Sequence, residues 1–448
     1  MRWSFVLVTC AVLGACGQDA QVGDANGSDI DAPITVHPPD EFPLHVAADG
    51  GSLVSQNGMP FLLHGEAAWS LIAQPTSNQM EQYLADRDSR GVRAILVNLV
   101  EHKFADNPPA NAAGAAPFTT PNDFSTPNEA YFAHADEVID HAAAHGIAVM
   151  LFPAYLGYQG GDEGWFAAMS ALSQTKCRQY GDFVGARYAN RINIIWMWGG
   201  DYTPPSGSAG EICMKAIADG IRAAEPTALA SAHWDPESTS RAEGTFSSII
   251  DLVGIYTYSN DLQQCRDARA VTPSKPAFLL ETTYENEHSA PVFQVRQQQW
   301  WAMIGCGAGE ISGNLPIWNF SAGWPQQLGS PLSKAQAHLA AITTSIPWQD
   351  LERLDALVTA GRGSGDAEVA AARTADSKYA LVYIPPAGAA TITVDLSKMS
   401  GPANATWYDP TTGASTSAGT GLTGSVALAT PGDNAAGDGD WVLVLTSP

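Results

Sequence analysis

Apolar runs that each end in polar residues constrain the fold of this chain more than any other feature. Five of them are VRAILVNLV, IAVMLFPAY, INIIWMWGGD, IIDLVGIYTYS and KPAFLLETTYE. A strand that is apolar along its whole length is covered on both faces, as in a parallel sheet between helices. With FLLHGE, ALASAHWD and the segment GAGEISGNLPIWNF, about eight such strands occupy about 300 residues. That count favours an α/β fold of the closed (β/α)₈ type, the TIM barrel, over an open sheet.

Helix signals fill the intervals between these runs. Thr76 and Gln79 have the spacing of a capping box at a helix start. A second helix is predicted to begin at Thr126, with Pro127 in its first position, and to end at Gly146. Further helices are predicted over residues 163–189, 209–224 and 292–304. Strands and helices therefore alternate, as a barrel of this type requires.

The pattern changes after residue 346. The segments YALVYIPPAG, ATITVDLS, ATWYDPTTGAS and DWVLVLTSP are short strand patterns separated by Gly, Pro, Ser and Asp. In one of them Ile392, Val394 and Leu396 fall on the same face, because side chains alternate along a strand. We therefore predict a barrel over residues 43–346 and a small antiparallel β-sandwich over residues 347–448.

The first residues, MRWSFVLVTCAVLGAC, have the pattern of an export signal. Arg2 precedes a short apolar stretch that is followed by small residues. The end of the stretch, LGAC, resembles the bacterial lipoprotein cleavage box, which implies cleavage before Cys16 and lipid on its thiol; the alternative is an ordinary signal peptide that contains a cysteine. Gly17 after it favours an outer-membrane or cell-surface destination. We predict a signal over residues 1–16 and a solvated tether over residues 17–42.

Charge and cysteine content narrow the partners. The formal net charge of −24 argues against nucleic acid or anionic lipid as a ligand. After export four cysteines remain besides Cys16, and they allow three disulfide connectivities. We favour pairing between neighbours along the chain, Cys177 with Cys213 and Cys265 with Cys306. No cysteine–histidine spacing indicates zinc, and no glycine-rich fingerprint indicates a nucleotide, so we expect neither metal nor cofactor.

Two carboxylates follow predicted strands on opposite sides of the barrel. Asp201 comes after the fourth strand and Glu281 ends the seventh. The carboxyl ends of the strands form the mouth of a (β/α)₈ barrel, where its active site lies. Cleavage of a glycosidic bond needs one carboxylate to protonate the leaving oxygen and another to stabilise or attack the anomeric carbon. The candidate substrate-binding residues at the same ends are Glu66, Trp69, Asn98, His233, Trp234, Tyr256, Tyr258, Tyr284, Glu310 and Trp318.

Each candidate also has a structural interpretation. Asp201 could cap the turn that follows its strand, and Glu281 could face solvent. Glu66 fits a ligand of sugar hydroxyls or a hydrogen-bond acceptor better than a general acid, and His233 fits hydrogen bonding better than metal binding. For the aromatic candidates the alternative to a sugar platform is core packing, and it applies to Trp69, Trp234 and Trp318.

Four segments occur in the order that is typical of the apiosidase-like family of glycoside hydrolases: PFLLHGEAAWSL, IIWMWGGDYTP, PAFLLETTYE and GAGEISGNLPIWNF. The C-terminal segments LVYIPPAG, WYDPTTG and DWVLVL resemble the small domain, labelled collagen-binding, that often follows it. The resemblance implies a retaining (β/α)₈ hydrolase with Asp201 as acid/base and Glu281 as nucleophile. It also implies a raised pKa for Asp201, which must hold a proton near neutral pH.

The chain departs from the family at two places near the predicted mouth. It has GEA at Glu66 where the family usually has Gly-Asp-Thr, and GEIS at Glu310 where the family often has Gly-His-Thr-Tyr. Hydroxyls of the substrate are read at this end, so the resemblance predicts the chemistry more firmly than the sugar. The family's known substrate is apiose on a branched pectic side chain.

These observations predict a lipid-anchored, exo-acting glycoside hydrolase of plant or microbial polysaccharide. Its expected partners are an oligo- or polysaccharide and, through the N-terminal lipid, the outer membrane, with no nucleic acid. One alternative is a surface protein that binds glycan or matrix without catalysis. Another is an endo-acting hydrolase of the cellulase or mannanase kind. A long open cleft would favour the endo-acting alternative, and carboxylates far apart would favour the binding protein.

Overall fold

The computed structural model describes residues 41–259 and 261–448. The predicted signal peptide, the lipidation at Cys16 and all but the last two residues of the predicted tether lie outside these ranges. Within them, no helix is both long and apolar enough to cross a membrane.

Eight parallel strands form the barrel and confirm the predicted fold class. They lie in the hydrogen-bonded order β5-β4-β3-β2-β1-β8-β7-β6. Residues on the inward faces of these strands, such as Leu63, Leu96 and Met150, share one core cluster, which fills the barrel. The strands are β1 (Leu63–Ala67), β2 (Ala94–Asn98), β3 (Ala148–Phe152), β4 (Ile194–Gly199), β5 (Ala230–His233), β6 (Val253–Tyr256), β7 (Ala277–Glu281) and β8 (Gly307–Ser312).

Short segments complete the barrel at two points. Between β5 and β6 the carbonyl oxygen of Ala230 accepts a hydrogen bond from the backbone N–H of Leu252 at 3.1 Å. The two-residue strand Ser238–Thr239 then pairs antiparallel with β6. Before β1, the strands His45–Val46, Leu53–Val54 and Pro60–Phe61 form a small antiparallel sheet. Its Leu53 and Phe61 pack in the cluster that fills the barrel.

Helices cover the outside of the barrel. They are α1 (Ser77–Ser89), α2 (Glu129–Ala144), α3 (Phe166–Ala171), α4 (Gln174–Tyr188), α5 (Ala209–Ala224), α6 (Asp261–Ala270), α7 (Val292–Gly305), α8 (Trp324–Gln327) and α9 (Pro331–Thr344). The predicted capping box of Thr76 and Gln79 is present at the start of α1.

Two predicted helix boundaries are wrong. Helix α2 begins at Glu129 and not at Thr126, because the side chain of Asn128 accepts a hydrogen bond from the N–H of Ala130 and acts as the cap. The predicted helix over residues 163–189 is divided into α3 and α4. Ser173 lies between them and caps α4 by accepting a hydrogen bond from the N–H of Lys176.

The C-terminal region is a β-sandwich of two antiparallel sheets. Its strands are β9 (Leu351–Arg353), β10 (Val358–Ala360), β11 (Ala370–Thr374), β12 (Tyr379–Ile384), β13 (Thr391–Asp395), β14 (Ala403–Tyr408), β15 (Ser415–Leu422), β16 (Ser425–Ala429) and β17 (Trp441–Thr446). The larger sheet has the order β9-β11-β12-β17-β14-β15 and the smaller has β10-β13-β16. Ile392, Val394 and Leu396 pack in the core between the sheets, as their alternation predicts.

A buried ion pair joins the sandwich to helix α7 of the barrel. The guanidinium of Arg296 is bidentate on the carboxylate of Asp440, with Nε–Oδ2 at 2.8 Å and Nη2–Oδ1 at 2.7 Å, and also contacts Asp438 at 2.7 Å. One turn along the helix, Trp300 stacks on Tyr383 with ring centroids 6.1 Å apart. Because a buried charge is costly to leave unpaired, this contact fixes the sandwich against the barrel.

Among the residues that the structure describes, two disulfide bonds join neighbouring barrel helices. Cys177 of α4 pairs with Cys213 of α5, and Cys265 of α6 pairs with Cys306 after α7. This is the connectivity that the sequence analysis favours. Each bond therefore links two helices that are consecutive on the outside of the barrel.

Candidate active site

Asp201 reaches the mouth of the barrel through a turn that glycine makes possible. Gly199, Gly200 and Asp201 all have positive φ, at 86°, 113° and 56°. A Cβ atom on Gly199 would lie 2.4 Å from the carbonyl oxygen of His233, so only glycine fits there. Asp201 itself is in the left-handed region, which costs free energy for a residue with a side chain. Strain of this kind is concentrated at functional sites.

Hydrogen bonds to Tyr155 and His233 hold Asp201 in place. The hydroxyl of Tyr155 donates to Oδ2 at 2.7 Å, and the backbone N–H of Asp201 donates to Nδ1 of His233 at 3.3 Å. The other carboxylate oxygen, Oδ1, is buried and has no hydrogen-bond partner. An unpartnered buried oxygen is free to accept or deliver a proton to a bound molecule.

His233 lies between the two candidate carboxylates. Its Nδ1 accepts a hydrogen bond, so the neutral ring carries its proton on Nε2. Nε2 is 3.1 Å from Oε2 of Glu281 and 3.9 Å from Oδ1 of Asp201. The 3.1 Å contact is electrostatic, because neither Nε2 of His233 nor Oε2 of Glu281 makes a hydrogen bond. Burial lowers the pKa of His233, but the charges of Asp201 and Glu281 outweigh burial and raise it.

Glu281 is the last residue of β7, where the pairing with β6 shifts by one residue between Ile255 and Tyr256. The hydroxyl of Tyr258 donates to its Oε1 at 3.4 Å. Burial, and then the charge of Asp201, raise the pKa of Glu281 to about 7, against the lowering effect of His233. The pair repels a second negative charge and keeps a proton at mildly acidic pH.

The two carboxylates are close together. Asp201, His233 and Glu281 each offer a donor atom, and these atoms lie within 4.8 Å of one another. Among the described residues this is the one group of three or more His, Cys, Asp or Glu side chains that could hold a metal ion. Our expectation that the protein uses no metal remains a prediction.

Aromatic side chains form the walls around these groups. Trp69 stacks on the ring of His233 with centroids 5.8 Å apart, and Tyr256 lies 4.5 Å from the same ring. On another wall, Phe104 contacts both Tyr155 and Trp318, at 5.5 and 5.1 Å. Faces and edges of this kind suit the C–H groups and hydroxyls of a sugar.

Most of the predicted site residues lie around the mouth. Asn98 has the same strand parity as the inward residues Ala94 and Leu96, and its buried Oδ1 has no partner. Tyr284 is buried in the same core cluster, and its hydroxyl has no hydrogen-bond partner. Trp318 donates a hydrogen bond through Nε1 to Glu287 at 2.5 Å. The predicted residues that the structure brings to the mouth are Trp69, Asn98, Asp201, His233, Tyr256, Tyr258, Glu281, Tyr284 and Trp318.

Glu66 does not reach the mouth, which corrects the expectation that it binds substrate. Leu63, Gly65 and Ala67 face the barrel interior, so Glu66 faces the helices. It is fully buried beneath α1, where Tyr83 donates to Oε2 at 2.9 Å and Arg87 at 2.6 Å.

Glu310 and Trp234 also point outward, against the expectation. Glu310 is paired with His64 in the neighbouring strand, with Oε1–Nδ1 at 2.5 Å, and both side chains are buried. Trp234 follows the inward-facing His233 and therefore faces the helices. There it packs on Phe246 and donates through Nε1 to the carbonyl oxygen of Ser240 at 3.0 Å.

The sequence analysis did not single out three residues of the site: Phe104, Tyr155 and Glu287. Tyr155 ends the third apolar run, IAVMLFPAY, and its place at a strand end was a usable signal. Phe104 and Glu287 lie in loops beyond the strand ends, where no periodicity indicates their direction.

Models of two protein families match the chain. The apiosidase-like catalytic domain matches residues 47–350, and the domain described as "Putative collagen-binding domain of a collagenase" matches residues 355–446. The first match spans most of the chain. This chain belongs to the apiosidase-like family. The apiosidase-like chain is accordingly a glycoside hydrolase, and its substrate is a carbohydrate.

Solved structures share the architecture of this apiosidase-like chain. One described as a glycoside hydrolase is 22% identical, covers 92% of this chain and 98% of its own, and superposes with a TM-score of 0.79. A glycoside hydrolase family 5 structure from Bacteroides vulgatus ATCC 8482 is 22% identical, covers 90% of this chain and 93% of its own, and has a TM-score of 0.78. These similarities extend over both the barrel and the sandwich. No curated protein matches the sequence.

Proposed function

We propose that the chain hydrolyses glycosidic bonds of plant or microbial polysaccharide with retention of anomeric configuration, with Asp201 as acid/base and Glu281 as nucleophile. The observation that carries the proposal is the separation of the two carboxylates, whose nearest donor oxygens lie within 4.8 Å. Retaining glycosidases have their carboxyl groups about 5–5.5 Å apart, whereas inverting enzymes need about 6.5–9.5 Å for an intervening water. The short separation therefore favours direct attack by a carboxylate.

In the first step Glu281 attacks the anomeric carbon while the bond to the leaving oxygen breaks, and Asp201 gives its proton to that oxygen. The product of this step is a sugar ester on Glu281. In the second step water attacks the same carbon and gives a proton to Asp201, and Glu281 leaves as a carboxylate. The sugar is released with its original configuration, and both side chains return to their starting states.

The contacts around each carboxylate fit these roles. Tyr155 holds Asp201 through Oδ2 and leaves Oδ1 unpartnered for the leaving oxygen. Tyr258 is close to Oε1 of Glu281, and His233 is close to Oε2. Both groups favour the ionised carboxylate that attacks. Burial, and then the charge of Asp201, raise the pKa of Glu281 and so keep one proton on the pair, and the productive arrangement has that proton on Asp201.

The destination and the sugar are further parts of the proposal. The export signal and Cys16 support a lipid-anchored protein at the outer membrane or cell surface. The aromatic walls support a polysaccharide or oligosaccharide of plant or microbial origin as the substrate. Apiose is the first sugar to test because of the family resemblance; Glu66 and Glu310, where the chain departs from the family pattern, face the helices and not the mouth.

The decisive experiment is the release of reducing sugar from a panel of polysaccharides by the exported chain. Asp201→Asn and Glu281→Gln are compared with the parent, and nuclear magnetic resonance follows the anomeric configuration of the first product. We expect release by the parent, loss in both variants and retained configuration. Inverted product would contradict the mechanism, and binding without release would favour a glycan-binding protein.

A further inference from the structure

A cavity of about 540 Å³ lies beside the candidate active site, between the barrel and the C-terminal sandwich. The barrel lines it with Tyr258, with Asp261 at the start of α6 and with one face of α7, and the sandwich lines it with Asp366. Small-molecule sites are commonly about 300–1,000 Å³ in volume, so a sugar fits in a space of this size. The proposed chemistry does not use this cavity.

Tyr258 connects the cavity to the catalytic groups. Its hydroxyl lies 3.4 Å from Oε1 of Glu281, while the residue as a whole is 46% exposed and lines the cavity. Gln298 of α7 makes a second connection, because its Nε2 donates at 2.6 Å to the hydroxyl of Thr282, the residue after Glu281. One side chain therefore separates the cavity from the proposed nucleophile.

The side chains of the cavity are those that bind carbohydrate. Tyr258 and the half-buried Phe293 offer aromatic faces, and the carboxylates of Asp261 and Asp366 can accept hydrogen bonds from hydroxyls. Gln298 is 3% exposed and its Oε1 has no hydrogen-bond partner. A buried amide oxygen without a partner is costly unless a ligand hydroxyl or water satisfies it.

Charge narrows the ligand further. The described residues that line the cavity include two carboxylates and no lysine or arginine. A uronic acid would bring a third negative charge next to Asp261 and Asp366 without a cation to balance it. A neutral sugar meets no such repulsion and matches the hydrogen-bond acceptors.

We propose that this cavity is a second sugar-binding subsite, which holds a neutral residue of the same polysaccharide whose glycosidic bond is cut between Asp201 and Glu281. The inference rests on the proposed function and deepens it. Its consequence is that the sandwich contributes directly to the substrate site through Asp366. The C-terminal domain is then part of the enzyme's specificity.

Affinity gel electrophoresis tests the subsite without catalytic turnover. The exported chain carrying Glu281→Gln is run in gels that contain galactomannan, arabinan, xyloglucan, polygalacturonate or gelatin. We expect at least one neutral polysaccharide to slow it, and polygalacturonate to leave it unaffected. Adding Asp366→Ala should raise the dissociation constant about tenfold, the scale of a lost hydrogen bond to a charged group. Phe293→Ala removes an aromatic face and should raise the dissociation constant by up to about tenfold.

The matched control is Asp433→Ala, which removes another exposed carboxylate of the sandwich that does not line the cavity. It should leave the dissociation constant unchanged. Asp366 is exposed, so its substitution should not lower the melting temperature. The half-buried Phe293 could affect stability, so the binding result for Phe293→Ala is interpreted only together with that for Asp366→Ala. The proposal is overturned if both cavity variants bind as tightly as their parent, if only polygalacturonate or gelatin slows the protein, or if no polymer does.

A kinetic comparison separates the subsite from the proposed function. In the active chain, Asp366→Ala should raise KM for the polysaccharide about tenfold. It should leave kcat/KM unchanged for the p-nitrophenyl glycoside of the released sugar, because that small substrate ends at the mouth. If the parent releases no sugar but neutral polymers still bind through the cavity, the hydrolase mechanism fails and the subsite stands.

Discussion

Buried carboxylates occupy two regions of the barrel, and the regions differ in what neutralises them. On the outer wall, Glu66 is matched by Arg87 and Glu310 by His64, in pairs that face the helices. At the mouth, Asp201 and Glu281 face each other, and no arginine or lysine of the described residues lies within salt-bridge distance of either.

The difference shows how one barrel uses the same side chain for two purposes. A carboxylate matched by a buried guanidinium is stable because its charge is compensated. A carboxylate that faces another carboxylate is held in an unfavourable state by the surrounding fold. Substitution should therefore affect catalysis in one region and stability in the other.

The largest expected effect is the loss of catalysis at the mouth. Glu281→Gln should lower kcat for hydrolysis of the p-nitrophenyl glycoside of the released sugar on the order of 10⁴-fold, because the amide cannot form the sugar ester. Its melting temperature should not fall, since the substitution removes a buried charge that lies next to Asp201. Steady-state kinetics and thermal unfolding measure the two effects. A large fall in stability would mean that Glu281 behaves like the carboxylates of the wall.

The opposite result is expected for Glu66→Gln. The substitution removes the buried carboxylate that pairs with the guanidinium of Arg87 and leaves it only the half-buried Asp86, so the free energy of unfolding should fall by about 3 kcal/mol. The value of kcat should stay within about twofold of the parent, because Glu66 faces the helices and contacts no residue of the mouth. Denaturant unfolding gives the first quantity. Reduced kcat with unchanged stability would show that Glu66 acts in the substrate site and not in the stability of the wall.

The pH dependence of kcat/KM should reveal the shared proton. The proposed chemistry needs one proton on the carboxylate pair, and the pKa of Glu281, raised to about 7, marks the pH at which that proton leaves. The value of kcat/KM should therefore fall as pH rises above about 7, by about tenfold per unit. Profiles of the parent from pH 4 to 9 measure this. Activity that rises through pH 7 would assign the shift to another group.

A smaller effect is expected at Tyr155, which sequence analysis did not identify. Tyr155→Phe removes the hydrogen bond to Oδ2 of Asp201 and should lower kcat about tenfold. Tyr158→Phe is the matched control, because Tyr158 is an exposed neighbour that does not contact the carboxylate. Equal kcat values for the two variants would show that Asp201 does not need this contact.

No effect is expected from metal removal. The proposed steps use carboxylates and water, so treatment with EDTA should leave kcat unchanged. Activity that EDTA abolishes and a divalent cation restores would instead assign an ion to Asp201, His233 and Glu281.

The fold and the catalytic pair could be predicted from the sequence because apolar runs and strand ends are local features. Asp201 and Glu281 follow such runs directly, and so does Glu66. Whether each of these carboxylates faces the barrel interior or the helices depends on strand parity. The sequence could not establish the parity of Glu281, because the register of its strand shifts by one residue at the neighbouring bulge, and such a shift changes the face of a side chain. Strand parity also explains why His233 points into the barrel and Trp234, the next residue, points away from it.

The buried contact of Arg296 with Asp440 has a consequence for the ancestry of such enzymes. A module on a flexible linker can be gained, lost or exchanged by recombination with little cost to its neighbour. Here the loss of the sandwich would leave Arg296 without Asp438 and Asp440 and would expose the ring of Trp300 that Tyr383 covers. The barrel and the sandwich are therefore expected to descend together, with substitutions on one side of their boundary answered by substitutions on the other.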